Sequence, residues 1–232
     1  SWELHLSHLL DRKDPADVVI YRNLAREIAH LVKKYRGSLS GEHGDGRLRG
    51  EFIPLMLGEE IYRILRILKK TWDPYNIFNP GKIIDSPPMH TNLRYRTGES
   101  VKPLETIFSF PDKGTVLSAA EKCSGSGDCR KSSLIGGTMC PSFMASGDED
   151  KSTRGRANIL REFLTRSNKK HPYNHREIYK VMDLCLSCKA CKSECPSNVD
   201  MTKLKAEFLQ HYYRLHVIPI RTFLIGWRPR IN

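Results

Sequence analysis

The run Cys185-Leu-Ser-Cys188-Lys-Ala-Cys191-Lys-Ser-Glu-Cys195-Pro196 restricts this chain more than any other stretch of it. Three cysteines spaced by two residues, then a fourth after three more and a proline, is a spacing made for an iron–sulfur cube. A short loop can present three thiolates to three corners of one cluster while the fourth cysteine is carried away from them. In proteins with two clusters that fourth cysteine ligates the other one. Zinc sites use separated CxxC pairs or Cys/His mixtures and do not need a three-thiolate run ending in Cys-Pro. The motif reads as iron–sulfur rather than zinc or plain thiols.

A poorer copy lies upstream. Cys123-Ser-Gly-Ser126-Gly-Asp-Cys129 keeps the outer positions of a CxxCxxC run, with Ser126 where the middle cysteine would fall, and Cys140-Pro141 supplies the Cys-Pro element after an insertion. The two motifs use all seven cysteines. A crossed ligation pattern gives one 4Fe–4S site from Cys185, Cys188, Cys191 and Cys140. The second site then has Cys123, Cys129 and Cys195, which suits a 3Fe–4S cluster, or a 4Fe–4S cube completed by Ser126 or an outside ligand. The uncrossed alternative takes Cys185, Cys188, Cys191 and Cys195 for one cube and leaves the upstream cysteines empty or structural. Both stay open on sequence alone.

Composition narrows the class. The chain of 232 residues can bury a core and hold one or two domains. It contains no apolar run long enough to span a bilayer and no visible signal peptide. Cysteines without a secretory signal favour a reducing compartment, so the expected location is cytoplasmic, with peripheral contact at the inner membrane face as an extension. The formal charge of +12 raises nucleic acid as a partner. The cations are scattered among acids without a basic block or aromatic interleaving, so no nucleic-acid partner is expected.

Helical periodicity dominates. Asp14-Pro15 is an N-cap with proline at the first helical position, and Ile20, Leu24, Ile28 and Leu31 recur at helical spacing as far as Lys34. A second helix is expected over 59–70, with Ile61, Ile64, Leu65 and Leu68 as its apolar stripe. Further helices are expected over 115–122, 153–165, 175–184 and 201–215. A short strand is expected at 106–110. The fold class is therefore mainly α with a minor β contribution. Residues 1–84 form a first part, 85–111 a linker, and 112–232 an α-helical ferredoxin-like module with its cluster motifs at helix ends.

Ser38-Leu-Ser-Gly41-Glu42-His43-Gly44-Asp45-Gly46-Arg47 is the other chemically dense stretch. Glycines on both sides of a Glu-His pair let the backbone approach a ligand, and a carboxylate beside an imidazole suits metal ligation or a more basic histidine. With Asp73-Pro74 and Asn79-Pro80-Gly81-Lys82, this stretch resembles the end of the FAD-linked oxidase C-terminal domain, a family that includes D-lactate, glycolate and D-2-hydroxyglutarate oxidising flavoproteins. The Arg154-Gly-Arg156-Ala-Asn158 stretch and the cysteine motifs extend the resemblance to members fused to an iron–sulfur module.

The resemblance implies that residues 1–84 are the C-terminal part of a flavoprotein cap or substrate domain. It implies Glu42 as a ligand of a divalent metal such as zinc, His5 as a second ligand, and His43 as the base for the substrate hydroxyl. It also places Glu42, His43, Gly44, Asn79 and Lys82 at the cofactor. FAD itself would be bound mainly by a part preceding residue 1, so the chain is expected to be a fragment inactive alone. The expected whole is a D-2-hydroxyacid dehydrogenase that passes electrons from FAD through iron–sulfur clusters to a quinone or redox protein. The alternative is an electron-transfer module with no substrate chemistry.

Overall fold

The computed structural model describes residues 9–98, 103–110 and 115–227, with Trp227 described by its backbone alone. The chain divides into two compact units, residues 1–100 and 101–232.

The first unit begins with α1, Pro15–Lys34, whose N-cap Asp14 accepts the Ala16 amide at 2.8 Å and whose last turn carries Lys33 and Lys34. A 3₁₀ turn, Gly50–Phe52, leads into α2, Ile53–Leu57, and α3, Glu59–Trp72. Ala29, Phe52 and Met89 form a small core. Glu51 ties it together: it pairs with Arg22 and accepts the Met89 amide at 2.7 Å. Burial works to raise the Glu51 carboxyl, but the Arg22 hydrogen bond and the Met89 amide outweigh it and hold the group below the usual carboxylate range.

The helical boundaries follow the sequence reading, but the burial does not. Ile20 and Leu31 of α1, and Ile61, Ile64 and Leu68 of α3, are exposed. α1 instead buries Val18 and Ala29, and α3 buries Tyr62.

The second unit contains α4, Val116–Glu121; α5, Pro141–Ser146; α6, Thr153–Arg166; α7, Arg176–Asp183; α8, Ala190–Glu194; α9, Met201–Tyr212; and α10, Ile220–Trp227. Its core is larger, and α6 runs through it, burying Ala157, Leu160 and Leu164. Ser152 caps α6 by accepting the Gly155 amide at 2.9 Å, and Asp200 caps α9 through Lys203 at 3.0 Å. Among the described residues no helix is long and apolar enough to cross a membrane.

Residues 106–110 do not form the expected strand, and no β-strand occurs among the described residues. Their backbone donors go elsewhere. The fully buried Glu207 of α9 accepts the Ile107 and Phe108 amides at 2.8 and 2.9 Å, and its Oε1 lies 2.8 Å from His211 Nε2. A carboxylate thus takes the place of a partner strand. Glu207→Ala should leave two part-buried amides without their acceptor, lower stability by about 1–3 kcal/mol and speed hydrogen exchange at Ile107 and Phe108. Unfolding and exchange of the cluster-loaded protein check this; unchanged exchange at both amides would contradict it.

Candidate iron–sulfur centres and the Glu42–His43 loop

The second unit gathers its cysteines into two cavities. The loop after α7 carries Cys185 and Cys188, with Ser187 and Lys189 at positive φ, and Cys191 lies in α8. Cys140 is the N-cap of α5, also at positive φ. These four, with Thr153 and Arg156, line one cavity. Cys195 follows α8 in extended backbone and turns away to the other cavity, where it meets Cys123, Cys129 and Ser126. Among the described residues no group of three or more His, Cys, Asp or Glu converges as ligands of one ion would. The cysteines surround volumes, as ligands on separate corners of a cluster must.

Helix N-termini point at the sulfurs. In the first turn of α6, Thr153 donates its amide to Cys140 Sγ at 3.0 Å, and Arg154 donates its own to Cys129 Sγ at 3.3 Å. Consecutive amides therefore serve different cavities. The amides of Met201 and Thr202, opening α9, bear on Cys191. Burial nevertheless pushes the Cys140 thiol up to about 11, and raises Cys129 and Cys191. Buried thiols ringed by N–H donors hold a proton until a metal centre replaces it, which fits soft thiolate ligation of iron.

Two supports escaped the sequence reading. Glu194, inside the cysteine run, accepts the Thr138 amide at 2.9 Å and the Met139 amide at 3.1 Å, and so staples the segment before Cys140 to α8. Side-chain and backbone hydrogen bonds from Thr138 hold its carboxylate below the usual range. A carboxylate directly before Cys195, inside the cysteine run, is the signal that could have exposed it. Gly155 is the second support: a Cβ there would sit 2.1 Å from the Glu149 carbonyl oxygen, so only glycine lets the 3₁₀ turn Glu149–Lys151 lie against α6. Arg156, noted from sequence only as a helix-start cation, is 1% exposed. Its Nε donates to Val181 O at 2.9 Å and its Nη2 to Ser142 Oγ at 3.0 Å.

In the first unit the Glu42–His43 loop and the Asn79–Lys82 turn are neighbours, because Ile83 donates its amide to Gly46 O at 2.8 Å. Arg49 braces the loop from inside by donating to Gly44 O at 2.8 Å and Ser40 Oγ at 3.2 Å. Asp73 fixes the turn's entry by accepting the Ile77 and Phe78 amides at 2.8 and 2.9 Å. Lys82 Nζ donates to Asn79 Oδ1 at 3.1 Å. His43 Nε2 lies 3.1 Å from Glu42 Oε2, and the imidazole is 81% exposed. No atom lies within 4 Å of where a Cβ on Gly44 or Gly46 would sit, so that face of the loop is open to a ligand. Glu42 and His43 have no third metal-ligating partner among the described residues. His5 lies outside the described residues.

Residues 3–83 match the family described as FAD linked oxidases, C-terminal domain, and residues 122–200 match a 4Fe-4S dicluster domain. The D-2-hydroxyglutarate dehydrogenases of Pseudomonas putida and Escherichia coli are each 30% identical to the chain over 263 residues, covering 96% of it and 25% of their own length. The glycolate oxidase subunit GlcD of Bacillus subtilis is 29% identical over 80 residues, 34% of this chain and 17% of the subunit. No solved structure matches. The chain spans about a quarter of the length of the dehydrogenases it matches. Its two matched stretches are thus similar, in series, to the C-terminal domain of FAD linked oxidases and to a 4Fe-4S dicluster domain.

Proposed function

We propose that this chain is the electron-exit portion of a flavin- and iron–sulfur-dependent D-2-hydroxyacid dehydrogenase. The observation that carries the reading is the division of seven cysteines into a cavity of four and a cavity of three. Cys140, Cys185, Cys188 and Cys191 would hold a 4Fe–4S cluster. Cys123, Cys129 and Cys195 would hold a 3Fe–4S cluster, or a 4Fe–4S cluster completed by Ser126 or an outside ligand. Flavin, when bound, accepts the hydride from the substrate carbon.

On the protein side, a neutral His43 that donates Nε2–H to Glu42 keeps its lone pair on Nδ1. That nitrogen is the base that takes the substrate hydroxyl proton. Gly44, Asn79 and Lys82 lie on the same loop pair and would contact the cofactor or substrate. A divalent metal at Glu42 calls for ligands beyond the described residues, His5 among them. Electrons leave one at a time through the cysteine sites toward a quinone or redox protein, in the cytoplasm or at the inner face of its membrane.

Iron and sulfide analysis with EPR of anaerobically prepared protein tests the central part. The expected content is about four irons for the complete site and three or four for the other. Ser126→Cys should convert an oxidised 3Fe–4S signal to a 4Fe–4S one. A colourless protein loaded with zinc would rule the reading out.

A further inference from the structure

We propose that Arg156 is the counter-cation of the cluster in the four-cysteine cavity and raises the reduction potential of that cluster. The inference rests on the reading that both cavities hold iron–sulfur clusters. Arg156 is the largest of the fully buried side chains and lines the four-cysteine cavity. Its hydrogen-bond partners, Val181 O and Ser142 Oγ, are uncharged. A guanidinium out of water without an anion is expensive.

A second cation stands close by. Half-buried Lys205 donates to Cys185 O at 2.6 Å and Asp183 O at 3.4 Å, and its charge and that of Arg156 repel. The Asp183 charge acts against that repulsion at Lys205, which leaves the Arg156 guanidinium as the cation that calls for an anion beside the four cysteines. Four thiolates on a cubane core leave a net negative charge, so the cluster supplies it.

At the three-cysteine cavity the lining guanidinium is paired. Arg154 lines it, but its Nε is 2.7 Å from Glu149 Oε1, whose Oε2 also takes Arg130 at 2.7 Å. Arg154 therefore has a carboxylate partner, although Glu149 shares its single charge between two guanidiniums. The first turn of α6 cannot distinguish the two sites, because it donates one amide to a sulfur of each. The four-cysteine side has in addition a buried guanidinium whose hydrogen-bond partners are uncharged. Reduction adds one electron to a cluster, and a fixed cation in a low-dielectric setting favours the reduced form. Arg156 therefore makes the four-cysteine cluster easier to reduce than it would be without the cation, and exposed Cys188 offers a way out for the electron.

EPR-monitored redox titration of the cluster-loaded chain tests this, with iron and sulfide measured on each sample. Arg156→Gln should shift the reduction equilibrium of the four-cysteine cluster about tenfold toward the oxidised form, about 59 mV for a one-electron couple, with the other potential and the iron content unchanged. Arg156→Lys should restore the potential. Glu149→Gln, which releases the Arg154 charge, should raise the potential of the three-cysteine cluster.

A potential in Arg156→Gln within threefold of the parent equilibrium would overturn the proposal. So would an equal drop in Arg156→Lys, which would assign the effect to packing. If Arg156→Gln fails to assemble, the other two variants decide: the expected pair of results supports the proposal, and a drop in Arg156→Lys or no rise in Glu149→Gln sinks it. Failure of the parent chain to bind iron and sulfide is a separate outcome that removes the cluster reading and this assignment with it.

Discussion

Cys140→Ala is expected to abolish the 4Fe–4S signal of the four-cysteine site, although Cys140 is remote in sequence from the other three cysteines. Cys195→Ala, inside the contiguous run, should leave that signal intact and remove the three-cysteine centre instead. The physical reason is the course of the chain around α8. Cys191 faces one cavity from within the helix, whereas Cys195 leaves its end in extended backbone and faces the other. Glu194 meanwhile holds the segment before Cys140 against the same helix. Each loss should be close to total for its own site, because three thiolates cannot hold a full cube without a fourth ligand. EPR of reduced and oxidised protein reads both variants. The opposite pattern, with Cys195→Ala destroying the 4Fe–4S signal and Cys140→Ala sparing it, would establish the uncrossed arrangement.

The second large effect concerns the first unit. In the complete dehydrogenase, His43→Asn should lower turnover of 2-hydroxyacids by about 10²–10⁴, the range for losing a positioned general base, while iron content and both cluster signals stay unchanged. Glu42→Gln should also reduce turnover, since it weakens the partner of the imidazole. Both residues are exposed, so folding should survive either change. If both variants turn over like the parent, His43 is not the base and the chain is an electron carrier without substrate chemistry of its own.

Much of the architecture could be read before any coordinates. The helices at 15–34 and 59–72 announce themselves through Asp14-Pro15 and apolar spacing, and the cysteine run names its own chemistry. The rest depends on partners that spacing does not encode. Periodicity tells which side chains of α3 share a face, but not what covers that face; Ile61, Ile64 and Leu68 are exposed while Tyr62 is buried. Thr106 to Phe110 has the composition of a strand, yet a strand needs another strand, and Glu207 satisfies its amides from a helix distant in sequence. Arg156 looks like any helix-start cation until the fold closes over it.

The neighbouring amides of Thr153 and Arg154 have a consequence for how fast charge can hop. The two sulfurs they hold, Cys140 and Cys129, accept from the nitrogens of adjacent residues in a single helical turn. On the two-cluster reading, the spacing of the centres is therefore fixed by one rigid turn, not by how tightly separate helices press together. Thermal breathing of the surrounding helices cannot stretch it without first breaking a sulfur contact on one side or the other.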